Sequence, residues 1–215
     1  MIPVFITLFY GFNYFNDPRI HQLGNFNHFH AAISPLTTKV IDKIAYNGVD
    51  VRSQLLNNLK KHKEIKTIAD FGCGTGYSTP HGDGCIGVDI SPQMINVAKL
   101  CHPNKKFVIG NIENFGSVDQ FDVVLISFVF HEVPQIHRSR IIANALRVAK
   151  KIVIVQDISI DHKSVNDIFY IGEPFVKEYQ TNICNDLYGF QRTNLITNHV
   201  DQWVYKISKI NYERV

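Results

Sequence analysis

The stretch IADFGCGTGYS at residues 68–78, followed by CIGVDIS at 85–91, decides how this chain is read. An apolar run from Ile68 to Phe71 gives way at once to Gly72, Gly74 and Gly76 on alternate positions. A short apolar run closed by glycine is a buried-strand signal. The glycines allow a tight strand-to-helix turn and let the backbone approach a ligand closely. Such a turn can receive a pyrophosphate or a carboxylate. The second run ends at Asp89, 17 positions after Gly72, where a carboxylate accepts the hydroxyl hydrogens of a ribose. Together the two runs predict an adenosine-bearing ligand. Tyr77 stands in the last place of the dinucleotide fingerprint, so a nicotinamide cofactor fits less well and a dehydrogenase is the weakest reading.

Working outward, the apolar runs CIGVDI, FVIGN, FDVVLISFVF and KIVIVQDI follow TIADF at intervals filled by helical stretches. Five such runs joined by crossovers predict an α/β fold, a Rossmann-like, doubly wound, mostly parallel sheet. Ser91 and Pro92 mark a helix start, and residues 135–148 read as a second amphipathic helix with Ile136, Ile141, Ile142, Ala145 and Val148 on its apolar side. The interval YSTPHGDG after Gly76 leaves room for little more than a turn where the first crossover helix is expected. The final part, GFQRTNLITN and VDQWVYKISKI, predicts a C-terminal antiparallel hairpin around Asn198 and His199. Residues 1–60, rich in aromatics and histidine, are expected to form an N-terminal lid on a domain spanning 61–215. An insertion at about 161–187 is too long for a simple connection.

Bulk properties narrow the function classes. The chain has 215 residues, 45% of them hydrophobic and 19% charged, enough for one substantial core. A net charge of +3 gives no strong nucleic-acid signal. Cys73, Cys85, Cys101 and Cys184 form no zinc or disulfide pattern, so no metal is expected and a reducing cytoplasm is the default compartment. The apolar start MIPVFITLFYGF is too short to span a bilayer and lacks a signal-peptide pattern.

The motifs D-x-G-C-G-x-G at 70–76, G-x-D-x-S-x-x-M at 87–94 and F-D-x-V at 121–124 resemble those of class I S-adenosylmethionine-dependent methyltransferases, in particular the small-molecule type 11/25-like group. The resemblance covers roughly residues 66–157 and implies S-adenosylmethionine as cofactor. It places the methionine part on the backbone of Gly72, Cys73, Gly74 and Gly76, with Asp70 near its ammonium. It also implies that Ile90 and Met94 flank the adenine, and that Asn111 and Ile112 meet its polar edge and face. Many relatives carry Asp where Asn111 stands, but an amide both donates and accepts.

In doubly wound sheets the ligand lies beyond the carboxyl ends of the strands, so the end of FDVVLISFVFHEVP brings Ser127 and Phe128 to the cofactor and His131 and Glu132 toward the acceptor. Methyl transfer is an in-line displacement that needs an aligned nucleophile and, for a hydroxyl or acidic carbon, removal of a proton. His131 is the candidate base, with capping or packing as its competing role. No Asn-Pro-Pro-Tyr or Pro-Cys follows the strand, which argues against adenine or cytosine amino groups and against covalent pyrimidine chemistry. Tyr14, Arg19 and His21 of the first segment and Glu173 of the insertion are substrate candidates, and Tyr179 is a further possible contact. His28 and His30 lack the carboxylates of a metal site. The expected function is methyl transfer to a small-molecule acceptor. An RNA or protein methyltransferase, drawing on the basic run LKKHKEIK at 59–66, and a non-catalytic S-adenosylmethionine-binding regulatory protein are the alternatives.

Overall fold

The computed structural model describes residues 48–163 and 174–208, with single positions 32, 35, 36, 40 and 46. Of the N-terminal lid expected over residues 1–60, all but 48–60 and those single positions lie outside the described residues, as do the substrate candidates Tyr14, Arg19, His21 and Glu173 and the histidines His28 and His30.

Helix α1 (Val51–Lys60) leads into strands β1 (Ile68–Phe71) and β2 (Cys85–Asp89), helix α2 (Pro92–Cys101), then β3 (Phe107–Ile109) and β4 (Phe121–Ser127). A 3₁₀ turn (Phe130–Glu132), helix α3 (Gln135–Val148), β5 (Ala149–Ile158), helix α4 (Val176–Asp186), β6 (Gln191–Ile196) and β7 (Val200–Lys206) follow. The seven strands lie in the order β3-β2-β1-β4-β5-β7-β6. β1 to β5 run parallel, while β7 is antiparallel to both β5 and β6. The expected parallel sheet and terminal hairpin are therefore present, with Asn198 of the hairpin turn at φ +59°.

Alternation along the strands explains the two covered faces. Ile68, Val123, Leu125 and Ile154 pack with Leu55 and Leu59 of α1. The intervening Ala69, Val124, Ile126, Val153 and Val155 face Ile141, Ala145 and Val148 of α3 and Tyr179 and Ile183 of α4. Every residue of β4 is buried, as a central strand covered on both faces requires. Helix α1 is capped by the Asp50 carboxylate, which accepts the Ser53 N–H at 2.8 Å. Ser91 caps α2, accepting the Met94 N–H at 3.2 Å ahead of Pro92 in the first turn.

Two expectations are corrected. Ile136 is 58% exposed, and the inward stripe of α3 instead includes Arg138 and Asn144 with Ile141, Ile142, Ala145 and Val148. At 100° per residue Ile136 falls well outside that stripe. Tyr179 has no exposure and donates its hydroxyl to the Ile158 carbonyl at 2.7 Å, so it is a core residue rather than a substrate contact. The described end of the 161–187 insertion is helix α4, packed into the main core.

Candidate active site

The chain passes outward from β1 through β2 to β3, then returns to place β4 on the other side of β1. That reversal leaves a crevice beyond the carboxyl ends of β1 and β4, the position where open α/β sheets bind ligands. The turn after β1 and the loop after β4 meet there. A Cβ on Gly72 would lie 2.5 Å from Val129 Cγ2, so no larger residue fits. Gly74, at φ +49°, has nothing within 4 Å of where a Cβ would sit and faces open space.

The turn is fastened from below. The N–H groups of Gly72 and Cys73 both donate to the Val88 carbonyl, at 2.8 and 3.0 Å. Lys105 donates its ammonium to the Gly76 carbonyl at 2.8 Å. The Cys73 side chain packs with Ile95, Ala98 and Phe107 beneath the turn, and burial pushes its thiol well above the usual range. Cys73 therefore offers the site its backbone only. No helix follows the turn before β2. Pro80, Gly82 and Gly84 occupy that interval and oppose helix propagation, as the short spacing predicted.

Asp89 ends β2 in an arrangement set by the same turn. One carboxylate oxygen accepts the Gly74 N–H and the other the Ser91 N–H, each at 2.8 Å. Carboxylate oxygens keep further acceptor sites when each takes one bond. The half-buried Asp89 is thus held at the lip of the crevice. Next to it Ile90 is 38% exposed and Met94 is half-buried. After β3, the Asn111 side chain accepts the Glu113 N–H at 2.8 Å, while Ile112 is buried in the main core. Asn144 of α3 secures this loop through the carbonyls of Ile112 and Phe115, at 2.9 and 3.0 Å.

Two buried polar atoms at the carboxyl ends of the central strands have no hydrogen-bond partner among the described residues: Asp70 Oδ1 and Ser127 Oγ. The other Asp70 oxygen accepts the Thr79 hydroxyl at 2.5 Å. Burial pushes the Asp70 carboxyl up to about 6, against the Thr79 and Ser78 hydroxyls and the Lys105 charge, which favour ionisation. Orphaned buried acceptors are rare in native proteins. A bound group bringing a cationic donor to Asp70 fits the acceptor left unmet there.

The loop after β4 carries the remaining candidates. Phe128 adopts φ +58°, unusual for a bulky side chain. Its N–H donates to the Gln156 carbonyl at 2.7 Å, its ring stacks on Tyr46, and the Arg52 guanidinium lies 4.1 Å from the ring centre. His131 is buried, with its Nδ1 2.5 Å from Oδ1 of fully buried Asp157. Asp157 also accepts N–H groups of Phe130 and Ile158, at 2.8 and 2.7 Å. A carboxylate can only accept, so Nδ1 is the donor, and in the neutral imidazole the lone pair is on Nε2. Glu132 Oε1 stands 3.7 Å from Nε2, beyond a good hydrogen bond.

Asp157 and Arg138 were not singled out in the sequence. Arg138, with no exposure, donates to the Val133 carbonyl at 2.6 Å and to Asp186 at 3.0 Å, joining the turn that holds His131 to α4. An acidic residue at the carboxyl end of β5, in the run VIVQDI, was the available signal for Asp157.

Comparison with known proteins finds methyltransferases. Residues 69–154 match the family described as a methyltransferase domain. The magnesium-protoporphyrin O-methyltransferase of Rhodobacter capsulatus is 30% identical over 112 residues, covering 47% of this chain and 50% of that protein. The malonyl-[acyl-carrier protein] O-methyltransferase of Halalkalibacterium halodurans is 32% identical over 104 residues, 41% and 36% of the two chains. The chain spans 60% or less of the length of the curated relatives it matches. In fold, it resembles the crystal structure of magnesium protoporphyrin IX methyltransferase from Synechocystis PCC 6803 with bound S-adenosylmethionine, with TM-score 0.62 and 13% identity over 93% of this chain and 100% of that one.

Proposed function

From the match of residues 69–154 to the family described as a methyltransferase domain, we propose that the protein is a class I S-adenosylmethionine-dependent methyltransferase that transfers a methyl group to a small-molecule acceptor by in-line displacement. The observation that carries this reading is the Gly74 backbone facing open space while its N–H holds the Asp89 carboxylate. When bound, S-adenosylmethionine supplies the electrophilic methyl group.

Each residue then has a defined task. Asp89 accepts the ribose hydroxyls, and the backbone at Gly72, Gly74 and Gly76 gives room to the methionine part. Asp70 meets the ammonium. Ile90, Met94, Asn111 and Ile112 border the adenine, and Ser127 and Phe128 close the cofactor side of the crevice. His131 receives a proton from the acceptor at Nε2, while Asp157 fixes the ring and offsets the charge that develops on it. Support for a small acceptor comes from the magnesium-protoporphyrin O-methyltransferase relative and from the modest net charge of +3.

Calorimetric titration with S-adenosylmethionine, S-adenosylhomocysteine and NAD in parallel, followed by a radiolabelled methyl-transfer screen of small acceptors, tests the proposal. Micromolar binding of the first two and none of NAD is expected. Asp89→Ala should weaken S-adenosylmethionine binding by about 1.5–3 kcal/mol through loss of charge-assisted hydrogen bonds. Unchanged affinity in that variant would refute the ribose assignment. Cofactor binding with no turnover across the screen would favour a regulatory role.

A further inference from the structure

A second concavity lies at the opposite end of β1 and β2 from the glycine turn. It has a volume of about 350 Å³ and an apolar base that includes Leu56 and Leu59 of α1, Ile65, Ile68 and Cys85. Lys60, Lys63, Lys66 and His81 line it as well, and all four are exposed. Ile68 and Cys85 begin the strands that end at Phe71 and Asp89, which separates this pocket from the crevice by roughly 10–13 Å at about 3.3 Å per residue.

Its lysines have no carboxylate partner among the described residues. Glu64, the acid within the basic run, is 3.0 Å from His62. Asp83 pairs with Lys106 at 3.4 Å, and Asp122 with Lys151 at 3.1 Å. Among the described residues no carboxylate pairs with Lys60, Lys63 or Lys66. Three unpaired ammonium groups around one concavity are a local concentration in a chain whose net charge is only +3. Such a rim raises the local concentration of anions, and the volume lies within the range of small-ligand sites.

The geometry points to a second binding site, separate from the cofactor crevice, for a small amphiphilic anion: a short apolar chain seated on Leu56, Leu59, Ile65 and Ile68, with one carboxylate or phosphate head among Lys60, Lys63 and Lys66. A nucleic-acid backbone would use the charge but leave the apolar base unfilled, so the combination favours the amphiphile. Head and chain contribute by different physics, the first screened by salt and the second not.

The test is calorimetric titration of the full chain with octyl phosphate and with octanoate, beside inorganic phosphate, octanol and an oligoribonucleotide. One of the two amphiphiles should bind at a single site at least tenfold more tightly than inorganic phosphate or octanol, and more weakly as salt is raised. The relative strength of the two reports which head group the site takes. Lys63→Glu with Lys66→Glu should weaken that binding at least tenfold, and Leu56→Gln several-fold. S-adenosylhomocysteine affinity and the circular dichroism spectrum should stay unchanged in these variants. Absence of binding by both amphiphiles, equal binding by inorganic phosphate or the oligoribonucleotide, or amphiphile binding that survives the double charge reversal would overturn the assignment.

Discussion

Asp70 lies fully buried with one oxygen unpartnered and its carboxyl pushed up to about 6 by that burial. Its folded pKa exceeds the ordinary 3.8, so the ligand-free protein is under no penalty below about pH 4 and bears the full one above about pH 6. The loss across that window is on the order of 3 kcal/mol. A ligand ammonium favours the ionised carboxylate, so S-adenosylhomocysteine affinity should rise between pH 5 and 7. At pH 5 binding should release a proton, seen as a buffer-dependent heat, and Asp70→Asn should abolish both effects. A flat affinity over this range in the unaltered protein would remove Asp70 from the ammonium site. At His131 the expectation is kinetic. Asp157→Asn removes the charge facing the ring and keeps one of the two oxygens that accept the Phe130 and Ile158 N–H groups. Turnover should fall by about 10²–10⁴-fold while cofactor affinity stays near that of the parent. Equal turnover would leave the pair a packing role. The acid at 89 was legible because a strand-end carboxylate after a glycine turn has a defined use. Asp157 was not, because its importance comes from contact with a residue 26 positions away.

At the scale of elements, the α3–α4 contact rests on one fully buried cation. Arg138 reaches Asp186 and the Val133 carbonyl together, and Gln135 adds a bond to Asp186 at 2.8 Å. Removing one member of a buried pair leaves the other desolvated and unpaired, at a cost of about 3–5 kcal/mol. Arg138→Met should therefore lower the urea midpoint by the equivalent amount, and a change below about 1 kcal/mol would show that Asp186 finds water. The strands, α2, α3 and the hairpin were readable because apolar spacing, the Ser91–Pro92 start and the Asn198 turn act locally. Helix α4 gave weaker signals. Its buried positions Val176, Tyr179 and Ile183 are separated by polar residues, and the Phe175 cap makes no side-chain hydrogen bond. Arg138 reads as solvent-facing by residue type, since a buried guanidinium is set by partners that only the folded chain assembles.

For the whole molecule, the crevice belongs to the folded sheet alone, because it needs β1, β2 and β4 side by side. Ligand that binds only this state stabilises it by mass action. S-adenosylhomocysteine at about 100 times its dissociation constant should add about 2.7 kcal/mol, raising Tm by roughly 5–10 °C for a chain of this size. NAD should leave Tm unmoved, and an equal shift with NAD would reverse the cofactor assignment. No helix among the described residues is long and apolar enough to cross a membrane.

Phe128 sits in a left-handed backbone conformation at the end of the central strand, braced by Gln156, Tyr46 and Arg52. A bulky residue there carries about 1–3 kcal/mol of strain. The most stable sequence for this fold is therefore not the one present. Selection of variants for heat resistance alone would drift toward glycine or asparagine at this position, relaxing the backbone while removing the ring proposed to close the cofactor side of the crevice. Thermal hardiness and activity would then part company at one residue, and a library screened for both would keep the phenylalanine.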